Sequence, residues 1–239
     1  MRLKSFLIAV VTCAALAAAA GLSAAPKKSV DRIWTHPEFA RFGVERIALL
    51  PIATFDNSLD AEKTIEQAFG QTFKPTGHRW ISALNVRDQL RARAGGGDSL
   101  VRVIKAALLK SERVDSLEAG RLCALLRVDA VMGLRADQWE RTELDWNQSG
   151  KPYTQVLLRG ALVDSSGTLL WSASGSQRGE GSYQDPSSGV SGVSSSGLDT
   201  KPIKAQAGAP TYLETTLPLF VRWVAEFPAR ATADSSAAH

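Results

Sequence analysis

The segment VERIALLPIATF, residues Val44–Phe55, decides the fold class, because it is an almost unbroken apolar run of strand length. Such a run is typical of a central strand covered on both faces, whereas a strand with one solvated face alternates apolar and polar residues. Proline cannot donate a backbone hydrogen bond, so Pro51 predicts a bulge or the end of the strand. We therefore expect a sheet with helices on both of its faces.

Helices and one short strand follow this run. Apolar residues at three- and four-residue spacing predict helices over 61–73, 83–94, 99–109 and 116–126. Asp60 and Asp98 are the expected N-caps of the first and third of these helices. A short strand is expected at 79–82, between the first two helices.

In the second half of the chain, apolar residues no longer recur at helical spacing but at every second position, which is typical of strands. Long strands are predicted at 128–137 and 153–164, and a turn at Asp164–Gly167 leads to a third at 168–176. A last helix spans 212–227. Alternating helices and strands followed by a meander predict an α/β class: a single three-layer-type domain with a mixed central sheet and helices on its faces.

The domain organisation follows from these elements. Of the 239 residues, 44% are hydrophobic and 22% are charged, which is the composition of a globular protein. We predict one domain over 44–228 that contains a Ser/Gly-rich loop at 180–210. A linker is expected at 26–43 and a disordered tail at 229–239.

The first 25 residues predict export. Arg2 and Lys4 precede an apolar stretch with a small-residue exit, the pattern of a secretory signal peptide. An uncleaved anchor helix, or lipidation at Cys13, are the alternatives. Removal of the segment leaves Cys123 as the one cysteine, in a helical apolar pattern that predicts a buried structural thiol. The expected location is periplasmic or associated with the outer membrane.

The charge balance argues against a nucleic-acid partner. The 28 Lys+Arg and 24 Asp+Glu give +4, and without Arg2 and Lys4 the balance is 26 against 24, or +2. No block rich in Lys and Arg concentrates this small surplus on one face.

No common catalytic or metal-binding template fits. His36, His78 and His239 lack partners at ligand spacing, which argues against zinc. Three Gly-containing stretches do not match known site templates. Gly150-Lys151 does not fit a phosphate loop, the segment at 189–193 does not fit a nucleophile elbow, and the glycines at 95–97 do not fit an anion-binding helix start. We therefore predict no enzyme activity, no catalytic, cofactor-binding or metal-ligating residues, and no cofactor.

Two groups of residues carry the remaining functional hypotheses. The acidic group of Asp137, Glu140, Glu143 and Asp145 is interspersed with arginines, which favours a solvated rim of salt bridges. An envelope hydrolase that uses Asp137, Glu140 and His78 is one alternative. A periplasmic protein with a small-ligand site at the carboxyl ends of the strands is another. Among the six tryptophans, a core role is expected for Trp80, Trp171 and Trp223, and a role in a partner surface for Trp34 and Trp146.

Three short stretches, in this order, carry a resemblance to a known family: the strand at 46–51 that reaches its proline, Asp129-Ala-Val-Met-Gly133, and Gly167-Thr-Leu-Leu-Trp171. Together with the closing helix that ends at Phe227-Pro228, they resemble the CsgG/LpoB-like superfamily of bacterial cell-envelope lipoproteins, over about 44–228.

The resemblance implies an α/β sandwich without enzymatic activity that works through protein contacts at the periplasm or outer membrane. Envelope proteins are the implied partners, and a homo-oligomer and membrane association remain open. The family's lipidated cysteine is not evident here. The 180–210 insertion lacks the alternation of a barrel strand, so pore formation is not expected.

Overall fold

The computed structural model describes residues 31–93, 98–145, 147–184 and 208–230. Seven strands form one mixed sheet: β1 (Arg32–Thr35), β2 (Arg46–Leu49), β3 (Ala53–Thr54), β4 (Arg79–Ile81), β5 (Ala130–Thr142), β6 (Tyr153–Asp164) and β7 (Leu169–Glu180). The helices are α1 (Leu59–Thr72), α2 (Ala83–Arg93), α3 (Ser99–Ser111), α4 (Ser116–Leu126) and α5 (Tyr212–Ala225). The predicted α/β class is confirmed.

The strands lie in the order β1-β7-β6-β5-β2-β4, and β3 pairs with β5 beyond the end of β2. The pairs of β2 with β4 and β5, and of β3 with β5, are parallel, whereas β5, β6, β7 and β1 form antiparallel pairs. The parallel pairs therefore join the strands of the first half of the chain, where helices and strands alternate, to β5. The antiparallel pairs join the consecutive strands β5, β6 and β7, with β1 at the edge.

Helices α1 and α5 cover one face of the sheet, which we call the aromatic face. Its largest side chains are fully buried: Trp171, Trp223, Phe73 and Phe220. The rings of Phe69 and Phe73 stack with centroids 4.1 Å apart, and Trp171 meets Trp223 edge-on at 6.0 Å. Trp80 is partly buried against the same cluster.

Helices α2, α3 and α4 cover only part of the opposite face. They pack aliphatic side chains against β2, β3 and β5, with small contributions from Val163 of β6 and Leu169 of β7. Cys123 lies in this cluster, 3% exposed, and burial raises the pKa of its thiol to about 11. The predicted buried thiol is confirmed.

The central apolar run folds as two strands with Pro51 between them, because the proline nitrogen cannot join a ladder. Leu50 still donates its backbone N–H to the carbonyl of Met132, at 2.8 Å. The predicted interruption at Pro51 is confirmed. The last residue of the run is different, since Phe55 is 53% exposed.

The helix starts depart from the predicted caps. Ser58, not Asp60, caps α1, because its hydroxyl accepts from the N–H of Ala61 at 3.2 Å. Asp98 precedes α3 without a side-chain capping bond, and its carboxylate pairs instead with Arg91 at 2.6 Å.

The folded domain extends beyond the predicted bounds of 44–228 at both ends. The predicted linker at 26–43 contains β1, which pairs with β7 at the edge of the sheet. At the other end, Arg230 falls in the predicted tail but donates its N–H to Thr76 O at 3.0 Å and pairs with Glu45 at 2.6 Å. The predictions for 1–25, the glycines at 95–97, most of 180–210 and the rest of the tail lie outside the described residues.

None of the described helices has the length and hydropathy needed to cross a membrane.

Candidate functional site

The turn between β3 and α1 presents two large apolar side chains to solvent. Phe55 is 53% exposed and Leu59 is 60% exposed. They lie at the carboxyl end of the parallel strands, where chain connections in α/β folds carry binding residues.

Backbone and side-chain hydrogen bonds fix this turn. Phe55 donates its N–H to Ala136 O of β5 at 3.3 Å, and the Asp56 carboxylate accepts from Ser58 N–H at 3.1 Å. Asn57 has a φ of 55°, a left-handed conformation that asparagine tolerates better than most residues. The two apolar side chains are therefore held on an ordered segment, and a partner would not have to order it.

A stacked aromatic pair lies at the start of α5. The rings of Trp139 on β5 and Tyr212 at the start of α5 are 4.3 Å apart and within 13° of parallel. Burial raises the pKa of the Tyr212 hydroxyl, and the nearby Asp56 and Glu140 carboxylates raise it further against an opposing effect of Arg141. Both rings are partly buried against the core of the aromatic face.

The chain returning to α5 is tied down at the same place. Arg141 donates to the carbonyl of Ala209 at 3.0 Å, and Glu143 accepts from the N–H of Ala209 at 2.9 Å. Thr211 and Glu214 then form a capping box at the start of α5.

We call Phe55 and Leu59 together the Phe55 surface. Exposed apolar and aromatic side chains with polar neighbours are the composition of protein-binding hot spots. This surface was not predicted from the sequence, because Phe55 ends an apolar run that predicts burial. The turn-forming Asp56-Asn57-Ser58 that follows was the available signal.

The residues of the hydrolase alternative are not brought together. His78 lies beside β4 at the level of Asp129 on β5, because Arg79 and Asp129 both pair with the Arg46 end of β2. Asp137 is eight positions further along β5. At a rise of about 3.3 Å per residue, that is roughly 26 Å away.

His78 has a structural environment. It is 6% exposed, and its two ring nitrogens lie 3.1 Å from Val44 O and 3.0 Å from Pro228 O. The imidazole thus joins the entry of β2 to the chain that follows α5.

Two of the four acidic residues, Asp137 and Glu143, form the predicted salt bridges. Asp137 pairs with Arg135 at 2.8 Å and with Arg159 at 2.7 Å, and Glu143 pairs with Arg141 at 2.6 Å. Hydrogen bonds from Tyr153 and Gln138 lower the pKa of Glu140. Within the described ranges, no three His, Cys, Asp or Glu residues lie close enough to hold a metal ion.

A cavity of 310 Å³ lies beside His36, Val44 and His78. This is the amino end of β2, opposite to the carboxyl ends at which the ligand-binding alternative placed its site. Trp34, a predicted partner-surface residue, is 43% exposed, whereas Trp146 lies outside the described residues.

Comparisons with known proteins give distant structural likenesses. No protein-family model matches the chain, and no curated protein matches it. Lipoprotein GNA1162 from Neisseria meningitidis has a TM-score of 0.43 at 18% identity, over 57% of this chain and 83% of that one. A PelC dodecamer from Paraburkholderia phytofirmans has a TM-score of 0.43 at 16% identity, over 85% of this chain and 99% of that one.

The hypothetical protein CT253 from Chlamydia trachomatis is similar over 77% of this chain and 95% of its own, with a TM-score of 0.39 at 14% identity. At TM-scores of 0.43 or lower, these likenesses carry no argument about what this chain does. The CsgG/LpoB-like resemblance therefore stays a prediction from the sequence.

Proposed function

We propose that this chain is an exported, non-catalytic interaction protein that assists a bacterial envelope assembly and binds a protein partner through the Phe55 surface. The observation that carries the proposal is the pair of exposed side chains, Phe55 and Leu59, on a turn fixed by hydrogen bonds. Export rests on the signal-like segment at residues 1–25.

The acidic and imidazole groups support a non-catalytic role. Asp137 and Glu143 are bound by arginines, Glu140 accepts from Tyr153 at 2.7 Å, and His78 lies between two backbone carbonyls. A general acid or base must instead be within reach of a substrate proton.

The test is capture of cross-linked partners from envelope extracts, with identification by mass spectrometry. The double variant Phe55→Ser/Leu59→Ser should lose the partner that the wild type recovers, because apolar hot spots carry most of the binding energy. A matched control, Val103→Ser/Leu117→Ser, changes two exposed apolar residues on other helices, 59% and 74% exposed, and should keep the partner.

Equal recovery by both double variants would contradict the Phe55 surface as the docking site. Turnover of a cell-wall substrate by the purified chain would contradict the non-catalytic role. Light scattering tests the homo-oligomer, since self-association through this surface should disappear in Phe55→Ser/Leu59→Ser and persist in the control.

A further inference from the structure

The face opposite the aromatic face is left open over β6, β7 and β1. The apolar side chains of α2, α3 and α4 pack on Val163 and Leu169 of these strands, and Glu112 at the C-terminal end of α3 reaches Arg159 on β6. On the aromatic face the same strands are covered by α5. The uncovered side chains form what we call the open half-face.

The strand register shows which side chains share this surface, because directly paired residues point to the same side of a sheet. Five rows cross the strands. They are Thr142/Tyr153/Glu180, Glu140/Gln155/Arg178, Gln138/Leu157/Ser176, Arg135/Arg159/Ser174/Arg32 and Gly133/Ala161/Ser172/Trp34. In the last row Gly133 and Ala161 are buried, so that only Ser172 and Trp34 belong to the open half-face.

The charges on the open half-face nearly balance. Its four arginines are Arg32, Arg135, Arg159 and Arg178, and its rows contain Glu140 and Glu180. Two further carboxylates bind these arginines, since Glu112 and Asp137 both pair with Arg159. Lys151 pairs with Glu180 at 3.2 Å, so five cations face four anions. A surplus this small disfavours a nucleic acid or an anionic lipid surface as the ligand.

Most of the ion pairs are also held in place. Arg135 donates to the carbonyl of Leu109 at 2.8 Å while its guanidinium pairs with Asp137. At the far end, the Arg178 guanidinium lies 3.8 Å over the Tyr153 ring, and the Tyr153 hydroxyl donates to Glu140 at 2.7 Å. Gln155 donates to Gln138 at 3.1 Å between them. The surface therefore offers fixed polar groups and little apolar area.

At the opposite end, one small site has unused hydrogen-bonding groups. A cavity of 140 Å³ is bordered by Arg32, Trp34, Glu112, Ser172 and Ser174. Within the described ranges, Arg32 has no ion pair, and neither serine hydroxyl nor the Trp34 indole N–H has a hydrogen bond. Trp34 is 43% exposed, so its ring is accessible to a flat ligand group.

We propose that the open half-face binds an extended neutral glycan, with one sugar ring in the Trp34 cavity and the chain lying across the polar rows. A pyranose has an apolar ring face that packs on an indole, and hydroxyls that pair with guanidinium, carboxylate and serine groups. The cavity is smaller than the roughly 300 Å³ at which most ligand pockets begin, which fits one ring of a longer chain.

The length of the surface supports a chain over a single sugar. On β6 the exposed part runs from Tyr153 to Arg159, six residues further along the strand. With a rise of about 3.3 Å per residue, the rows extend over roughly 20 Å. A protein partner is disfavoured, because the centre of a protein interface is apolar and this centre holds paired charges.

The experiment is calorimetric titration of the full chain with chitohexaose, cellohexaose and isomaltohexaose. At least one should bind, with an affinity that stays the same from low to high salt because no net charge is neutralised. Trp34→Ala should weaken binding by at least about fivefold, as loss of an aromatic stacking platform does elsewhere. Trp34→Phe should retain most of the affinity.

Val221→Ala, an exposed residue on α5 that faces away from the open half-face, is the matched control and should bind as the wild type does. Absence of binding to all three hexasaccharides, or equal binding by Trp34→Ala, overturns the proposal. A steep loss of affinity with salt overturns it in favour of an anionic ligand, and self-association that depends on Trp34 overturns it in favour of a second copy.

Because Phe55→Ser/Leu59→Ser leaves this surface intact, it should still bind the glycan, and the two proposals fail separately.

Discussion

On the aromatic face of the sheet Trp171 and Trp223 are fully buried, whereas on the open half-face Trp34 is 43% exposed. The same residue type contributes packing in one place and an accessible ring in the other. The difference follows from coverage, since α1 and α5 cover the aromatic face while the apolar side chains of α2, α3 and α4 reach only Val163 on β6 and Leu169 on β7. One side of the sheet thus holds the aromatic core, and the proposed glycan site lies on the other.

Replacing a tryptophan on each face should give the largest contrast. Trp223→Ala should lower the free energy of unfolding by about 3–5 kcal/mol, because it leaves a large cavity in a packed core. Trp34→Ala should change it by no more than about 0.5 kcal/mol, as is usual for exposed positions. Urea denaturation of the two variants measures both values. Equal losses of unfolding free energy in the two variants would contradict the difference between the two faces.

The thiol of Cys123 reports on the part of the opposite face that α2, α3 and α4 cover. Burial raises the pKa of its thiol from an ordinary 9.0 to about 11, so the unfolded chain loses this proton first as the pH rises. The contribution to stability is therefore present below about pH 9 and should fall by about 2 kcal/mol as the pH approaches 11.

Urea denaturation of wild type and Cys123→Ala at about pH 8 and about pH 11 checks this sign, and the wild type should lose more stability between the two. Cys13 is present in both proteins, so its titration cancels. An identical loss in both proteins would mean that the thiol is not buried on a well-covered face.

The smallest effect is expected on the open half-face itself. Tyr153→Phe removes the hydrogen bond that contributes most to the lowered pKa of Glu140, so that pKa should rise towards its ordinary value. A carbon NMR titration of the Glu140 carboxyl measures the shift. Stability near neutral pH should change little, since polar contacts at the surface contribute weakly. A larger loss would show that this half-face is structural.

The sequence predicts the α/β class and most elements because long apolar runs dominate their own local structure. Strand β6 at Tyr153–Asp164 and helix α4 at Ser116–Leu126 have the predicted bounds. Strand β1 was missed because a four-residue edge strand has no core run of its own and exists only through its pairing with β7.

The two surfaces were less accessible to sequence reasoning. Exposure of Phe55 depends on where β3 ends, and apolar runs locate strand ends poorly. The open half-face depends on register, which brings Arg32, Ser174 and Arg159 into one row from distant parts of the chain. Trp34 was predicted as a partner-surface residue because its neighbours Thr35 and His36 are polar; it is 43% exposed, and its role in a partner surface stays a prediction.

The position of β1 has a consequence for how the chain folds. Residues 32–35 pair with residues 171–174, so the first described strand needs a partner that comes far later in the chain. Asp31 and Arg222, which pair at 2.5 Å, are more distant still in sequence. Contacts of such long range are unfavourable early in folding, because closing the long loop between the two segments costs chain entropy before the contacts can stabilise the structure. The part of this domain that is synthesised first is therefore expected to be among the last to find its place, after the β5–β6–β7 meander has formed the edge that receives it.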